Sequence, residues 1–268
     1  MKPFLRWAGS KRQHLNGLLE CLPPWSGKYV EPFAGSACLF WKLEPARAVL
    51  GDLNADLISC YERVAAAPEA VHAVYSKCTN DADEYYRIRS DLHAESDLDV
   101  RAGYFIYLNR YCFNGLYRTD RSGHFNVPYG GARTGSPPTI EELRAYSRRL
   151  QTVSFKCSDF EAMVDDCVEA GDLVYLDPPY FSAGTRVFNA YTASPFTRTD
   201  LDRFDALLSR IDSVGATFVA TYLDGDDIRS ISAKWRSHDV SVLRRMAGFT
   251  ASRRRTSELV FTNARIAA

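Results

Sequence analysis

The sequence predicts an α/β fold built on a largely parallel central sheet. Three observations carry that prediction. Short apolar runs alternate with helix-period stretches between residues 29 and 262, as when crossover helices join parallel strands. The run over residues 29–33 passes through Ala34-Gly35-Ser36 directly into a helical pattern. A strand, a tight glycine turn and a helix make the first half of a nucleotide-binding βαβ unit. The run Leu173–Leu176 stops at Asp177-Pro178-Pro179-Tyr180, because proline lacks the N–H that a central strand needs. Asp177 is thereby placed, extended, at the carboxyl end of a strand, the edge where open α/β sheets bind ligands.

Composition bounds the reading. The 268 residues are 46% hydrophobic and 25% charged, which suits one globular unit with a small inserted subdomain. Lys plus Arg equals Asp plus Glu, so the net charge is zero. That excludes a whole-molecule electrostatic case for nucleic acid and leaves only a local one. Arginines do crowd locally: Arg101, Arg110, Arg118 and Arg121 in the middle, and Arg244, Arg245, Arg253, Arg254 and Arg255 near the end. The seven cysteines are odd in number and contain no C-x-x-C pair, which argues against a disulfide framework or a zinc site. No metal is expected, and reduced core cysteines fit a cytoplasmic protein. No run approaches the roughly 18 apolar residues of a membrane span.

Taken in order, the chain opens on Phe4-Leu5-Arg6-Trp7-Ala8-Gly9-Ser10-Lys11. Ser10 is expected to cap a helix carrying Leu15, Leu18, Leu19 and Leu22. Trp7 suits a cleft wall and Lys11 an anionic group; a hydrophobic plug with a solvated lysine reads equally well. After the Phe33-to-Gly35 turn, a second strand over residues 47–50 leads to Asp52, 17 residues past Gly35. An acid there hydrogen-bonds a ribose hydroxyl, or else caps a helix together with Asn54. No G-x-G-x-x-G follows a strand, which disfavours NAD or ATP. Residues 56–108 carry helical spacing and read as packing helices.

Residues 107–118 interleave aromatics, amides and arginines, residues 119–124 form a turn, and residues 125–131 are extended. Together with the loop to Pro138 they predict a β-hairpin standing off the core, at about 109–138. Arg and Asn read guanine and adenine edges, and aromatics stack on bases. Thr139 with Glu142 forms a capping box for a helix over residues 140–150. A strand over 153–156 leads to Asp159 and Phe160, either an adenine-binding pair or a helix N-cap with its neighbour. Residues 181–195 have no period and suit a loop over a bound base. A helix over 200–208, a strand over 216–222 and a terminal hairpin of strands over 240–243 and 259–262 complete the chain.

The chemistry suited to Asp177-Pro178-Pro179-Tyr180 is the holding of a planar amine. The carboxylate and the Pro178 carbonyl accept from the amine, and the Tyr180 ring lies on the heterocycle. Standing with Glu31-Pro32-Phe33-Ala34-Gly35-Ser36, Asp52, Asn109-Arg110-Tyr111, Asn114-Gly115-Leu116-Tyr117-Arg118 and Phe125-Asn126-Val127-Pro128-Tyr129-Gly130, this motif order resembles the Dam-type family of DNA adenine-N6 methyltransferases. The resemblance covers nearly the whole chain. It departs at Ser10 and Ala37, where glycine is more usual.

The resemblance implies a Rossmann-like S-adenosylmethionine-dependent methyltransferase fold, with residues 1–54 and 150–268 as the catalytic domain and 55–149 as an inserted target-recognition subdomain. It implies S-adenosylmethionine as methyl donor, contacted by Trp7, Lys11, Asp52 and Asp177, with Phe33, Gly35, Asp159 and Phe160 in support. It implies that adenine is flipped from double-stranded DNA onto Asp177, Pro178 and Tyr180. Arg110, Asn114, Leu116, Arg118, Asn126 and Tyr129 fall on the DNA-reading side. Leu116 and Arg118 resemble GATC-recognising members. Without the resemblance, a methyltransferase acting on RNA or a protein amide, or a non-catalytic DNA-binding relative, would share much of this pattern. A monomer is expected.

Overall fold

The computed structural model describes residues 1–13, 15–120, 122–131, 134–181, 196–243 and 255–264. Seven strands form one sheet: β1 (Tyr29–Glu31), β2 (Ala48–Asp52), β3 (Val153–Cys157), β4 (Leu173–Leu176), β5 (Thr217–Leu223), β6 (Arg236–Leu243) and β7 (Arg255–Thr262). Their order is β3-β2-β1-β4-β5-β7-β6. The first five are mutually parallel, and β7 runs antiparallel between β5 and β6. This is the Rossmann-like arrangement expected, terminal hairpin included.

The helices are α1 (Leu15–Glu20), α2 (Cys38–Leu43), α3 (Ala55–Ala66), α4 (Pro68–Tyr75), α5 (Ala82–Asp91), α6 (Leu98–Tyr111), α7 (Ile140–Leu150), α8 (Phe160–Cys167), α9 (Arg198–Val214) and α10 (Asp226–Ser232). Strand residues alternate between two cores. Tyr29, Leu50, Leu173, Tyr175 and Val219 point to one face, with Phe40, Leu57, Ile106 and Leu143. Val30, Val49, Val174, Leu176 and Phe218 point to the other, with Met163, Phe204, Leu208 and Ile228. Both sheet faces are covered, which is why these strands read as continuous apolar runs rather than as alternation.

Several expectations shift. The helix after Ser10 is split into a 3-10 turn, Lys11–Gln13, and the short α1. The Ser10 hydroxyl meets that of Ser36 at 3.1 Å. β2 continues past Leu50 to Asp52, because Gly51 and Asp52 go on pairing with Lys156 and Cys157. A side chain at Gly51 would fall 2.1 Å from the Met163 sulfur. The hairpin starts later than expected. α6 runs on to Tyr111, whose ring is buried like those of Phe105 and Tyr107, so Asn109 and Arg110 lie on its last turn. Beyond it, no strand ladder forms among the described residues; the isolated bridges Cys112↔Tyr129 and Thr119↔Phe125 and scattered hydrogen bonds tie the two arms. α10 has no counterpart among the expected elements; its core contacts are only Ile228 and Ile231. The Thr139–Glu142 capping box is present at α7 as expected. Arg121, residues 182–195 of the expected base-covering loop and residues 244–254 of the arginine-rich turn lie outside the described residues.

β1 sits between β2 and β4, and chain order diverges on its two sides. The carboxyl ends of β1 and β4 therefore flank the switch point where such sheets bind ligands.

Candidate active site

Asp177 directly follows β4, and its side chain keeps 18% of its exposure. Two groups converge on its Oδ1: the Lys11 ammonium at 2.9 Å and the Thr221 hydroxyl, from β5, donating at 2.9 Å. The Tyr175 hydroxyl lies 3.2 Å from Thr221 Oγ1. Because Thr221 has one proton and gives it to Asp177, Tyr175 is the donor in that second bond. Lys11 is itself buried, 3% exposed. It donates to the Tyr180 hydroxyl at 2.6 Å and lies 3.4 Å from Glu258 Oε1 on β7. The Tyr180 hydroxyl in turn donates to Glu258 at 3.1 Å.

Among the described residues, the electrostatics follow from the Lys11 cation between the acids Asp177 and Glu258. Burial works against the Lys11 charge, but Asp177, Tyr180 and Glu258 outweigh it and hold the ammonium above its ordinary range. Burial pushes the Asp177 carboxyl up, Glu258 adds to that push, and Lys11 and Thr221 oppose it. Lys11 is thus the group that favours Asp177 as a pure acceptor in a site that disfavours its charge.

The turn after β1 lies at the same edge. Gly35 has φ +47°, and a Cβ there would fall 2.6 Å from Trp7 Cδ1. Only glycine fits without strain. Trp7 also stacks on Tyr117, with centroids 5.1 Å apart and planes at 21°. Asp52 accepts from the Gly35 N–H and the Asn54 N–H, each at 3.0 Å, and Tyr61 donates to the Gly35 carbonyl at 2.8 Å. Asn54, not Asp52, caps α3. Burial raises the Asp52 carboxyl, and the backbone N–H groups of Asn54 and Gly35 oppose this. Leu53, next to Asp52, is 57% exposed. Phe33 lies 5.2 Å from the buried Phe160 ring. Asp159 is the N-cap of α8 and pairs with Arg203 at 2.6 Å, while the Arg203 guanidinium covers Phe160 at 4.6 Å.

The DNA-side residues divide by accessibility. Asn114 is exposed, at φ 57°, beside Phe113, itself 47% exposed. Leu116 is half-buried. Arg118 binds Asn126 across the hairpin, Nε to Oδ1 at 2.7 Å and Nη2 to the carbonyl at 3.2 Å. Tyr129 packs on Tyr85 and donates to Asn80 Oδ1 at 2.8 Å, which anchors the second arm to the start of α5. Arg110 donates to the Ser136 carbonyl, and Arg6 to the carbonyls of Arg110 and Thr134. Burial and the nearby Arg6 charge lower the Arg110 guanidinium. Arg101 is neutralised by Asp56 at 2.5 Å, so the arginine crowding read from the sequence is partly internal pairing.

Residues 7–246 match the family described as D12 class N6 adenine-specific DNA methyltransferase. The chain belongs to that family. It is similar to the type II methyltransferase M.MjaIII of Methanocaldococcus jannaschii, at 35% identity over 87% of this chain and 92% of that protein. It is also similar to the retron Ec67 DNA adenine methylase of Escherichia coli, at 31% identity over 97% of this chain and 90% of that one. The DNA adenine methylase of Escherichia coli K12 is likewise 31% identical, over 97% of this chain and 94% of its own. Membership accounts for the order of motifs along the chain and implies S-adenosylmethionine as methyl donor. Among the described residues no helix is long and apolar enough to cross a membrane.

Four members of the site escaped sequence reasoning. Thr221 and Tyr175 hide inside apolar strands. Glu31, 2% exposed, accepts from the Tyr29 hydroxyl at 2.8 Å, and burial pushes its carboxyl far up. The Tyr29 hydroxyl and the Phe40 N–H oppose that push. Glu258 left one signal: an acid opening the apolar run Leu259-Val260-Phe261, hence a buried charge needing a partner.

Proposed function

We propose that this chain transfers the methyl group of S-adenosylmethionine to N6 of an adenine flipped from duplex DNA, with Asp177, Pro178 and Tyr180 as the groups that hold the base. The observation that carries the reading is the placement of Asp177. It stands at the sheet's switch point, its Oδ1 held by Lys11 and Thr221.

The residues suit the donor. Trp7 lies against the bare backbone of Gly35, Asp52 is fixed on the Gly35 N–H at the end of β2, and we assign Phe33 and the exposed Leu53 to the same donor-binding edge. The carboxylates of Asp177 and Glu258 outnumber the Lys11 ammonium, which favours a cationic ligand. When bound, S-adenosylmethionine supplies an electrophilic methyl. Asp177 and the Pro178 carbonyl would accept hydrogen bonds from the two N6–H groups, which turns the nitrogen lone pair toward that methyl. The N–C bond forms as the C–S bond breaks, its electron pair leaving with sulfur. Positive charge would appear on N6 beside the Asp177 carboxylate, the arrangement that stabilises it, and N6 would then release one proton to solvent. Proline at 178 and 179 keeps the accepting carbonyl rigid.

Exposed Asn114, half-buried Leu116 and the braced Arg118–Asn126 pair are the groups we assign to reading the target, with Arg110 and Tyr129 holding the arms that present them. The recognition unit then spans residues 55–149, and the sequence read is GATC. Labelled methyl transfer to duplexes with and without GATC, beside an RNA control, tests this. Label only in N6-methyladenine of GATC duplexes is the expected result. Label in other duplexes discards GATC, and label in RNA alone discards the duplex substrate.

A further inference from the structure

We propose that Glu258 is a positioning residue for methyl transfer, holding the Lys11 ammonium and the Tyr180 hydroxyl so that Asp177 and the Tyr180 ring meet the target base in one fixed geometry. The proposal rests on the reading of Asp177 and Tyr180 as the base-holding groups. Glu258 touches neither base nor donor in this account; it acts through its two neighbours.

The geometry is a closed relay. Lys11 gives one proton to Asp177 and one to the Tyr180 oxygen, at 2.9 and 2.6 Å. The Tyr180 hydroxyl then has its own proton to give, and gives it to Glu258 at 3.1 Å, while Lys11 lies 3.4 Å from the same Oε1. Glu258 is 3% exposed, so water does not dilute these bonds. The strand that carries it explains how it arrives there. β7 is antiparallel to β5, with Leu223 opposite Glu258 and Tyr222 opposite Leu259. The beginning of β7 therefore lies at the carboxyl edge of the parallel strands, beside Asp177. A parallel strand in that slot would present its last residues there. Tyr222 meets Tyr180 edge-on, with centroids 5.0 Å apart, and its hydroxyl accepts from the Phe181 N–H at 2.7 Å. The Tyr180 ring is thus held at its side by β5 and at its tip by Glu258.

A group that only supports the fold and a group that positions Asp177 differ in pH response. The charged and titratable groups around Asp177 are Lys11 on the N-terminal turn, Tyr180 beyond β4, Glu258 on β7, Glu31 on β1, Tyr175 on β4 and Cys38 on α2. Glu258 raises the Asp177 carboxyl. Removing its charge therefore moves the acid limb of the rate profile to lower pH.

The experiment is single-turnover methylation, with S-adenosylmethionine and DNA saturating, by wild type, Glu258→Gln, Tyr180→Phe and the double variant across pH. Glu258→Gln is expected to lower the rate constant roughly ten- to hundredfold, the scale of a misplaced reacting group, and to shift the acid limb downward. The double variant is expected to lose less than the two single losses combined, since Glu258 and Tyr180 share one hydrogen bond while Glu258 also holds Lys11. A wild-type rate, or a loss with an unmoved acid limb and fully additive variants, overturns the proposal. Should Glu258→Gln not fold, Tyr180→Phe decides: an undiminished rate shows that the hydroxyl held by Glu258 positions nothing. Asp177→Ala runs beside them. Turnover by that variant would sink the base-holding assignment itself, whereas an inactive Asp177→Ala with a normal Glu258→Gln removes only the role of Glu258.

Discussion

Burial pushes Asp177 toward its neutral form and Lys11 pulls it back; among the described residues Lys11 is the cation that pairs with it. Lys11→Met leaves two carboxylates without their ammonium. It is expected to cost about 3–5 kcal/mol, the usual consequence of breaking a buried pair, read as a lower denaturant midpoint. The folded protein holds Lys11 above its ordinary value of 10.5. The stability it contributes is therefore full below that pH and is lost only as the pH rises past it toward the folded value. Unfolding curves between pH 6 and 9 should show no Lys11 step. Asp177→Ala should abolish methyl transfer while largely sparing the fold, because the residue sits at the edge of the site and Glu258 still pairs with Lys11. Gly35→Ala must take a positive φ and meet the Trp7 ring. A strain of about 1–3 kcal/mol is expected, with weaker S-adenosylmethionine binding by calorimetry.

At the scale of elements, the hairpin is braced rather than paired. Two isolated bridges, the Arg118–Asn126 contacts and the Tyr129–Asn80 bond do what a strand ladder would do elsewhere. Asn114 and Phe113 at its start are left exposed. Arg118→Ala is expected to relax sequence choice, narrowing the gap between cognate and mismatched duplexes by about 1–3 kcal/mol, while nonspecific binding changes little. A uniform loss across sequences would instead make Arg118 a phosphate contact. The helices beneath are set by local chemistry. The Thr139 cap on α7 works with Glu142, as the sequence alone indicates.

Across the whole molecule, the zero net charge and the internal pairing of Arg101 with Asp56 leave DNA binding to a local surface. The proposed donor site is assembled only once β1, β2 and β4 lie side by side, so its ligand is expected to bind the folded chain alone. S-adenosylmethionine at 100 times its dissociation constant should stabilise the protein by about 2.7 kcal/mol. A rise in melting temperature that saturates with concentration would show this. An equal rise in Asp52→Ala would show that Asp52 contributes nothing to that site.

The sequence by itself determined the α/β class, the strand–glycine–helix turn at Gly35, the edge position of Asp177 and the capping box at Thr139. Each of these is written in neighbouring residues, through hydrophobic period, proline's missing N–H and the φ that only glycine adopts readily. Tertiary structure decided which groups face Asp177. Lys11, Thr221 and Glu258 stand 166, 44 and 81 positions away from it in the chain, and no local pattern couples them. Structure also turned Asp159 toward Arg203, fixed Asp52 on the Gly35 turn and set Arg110 on the end of a helix. The reason is register. An antiparallel β7 between β5 and β6 brings the start of one strand to the ends of others, and only the assembled sheet specifies that meeting.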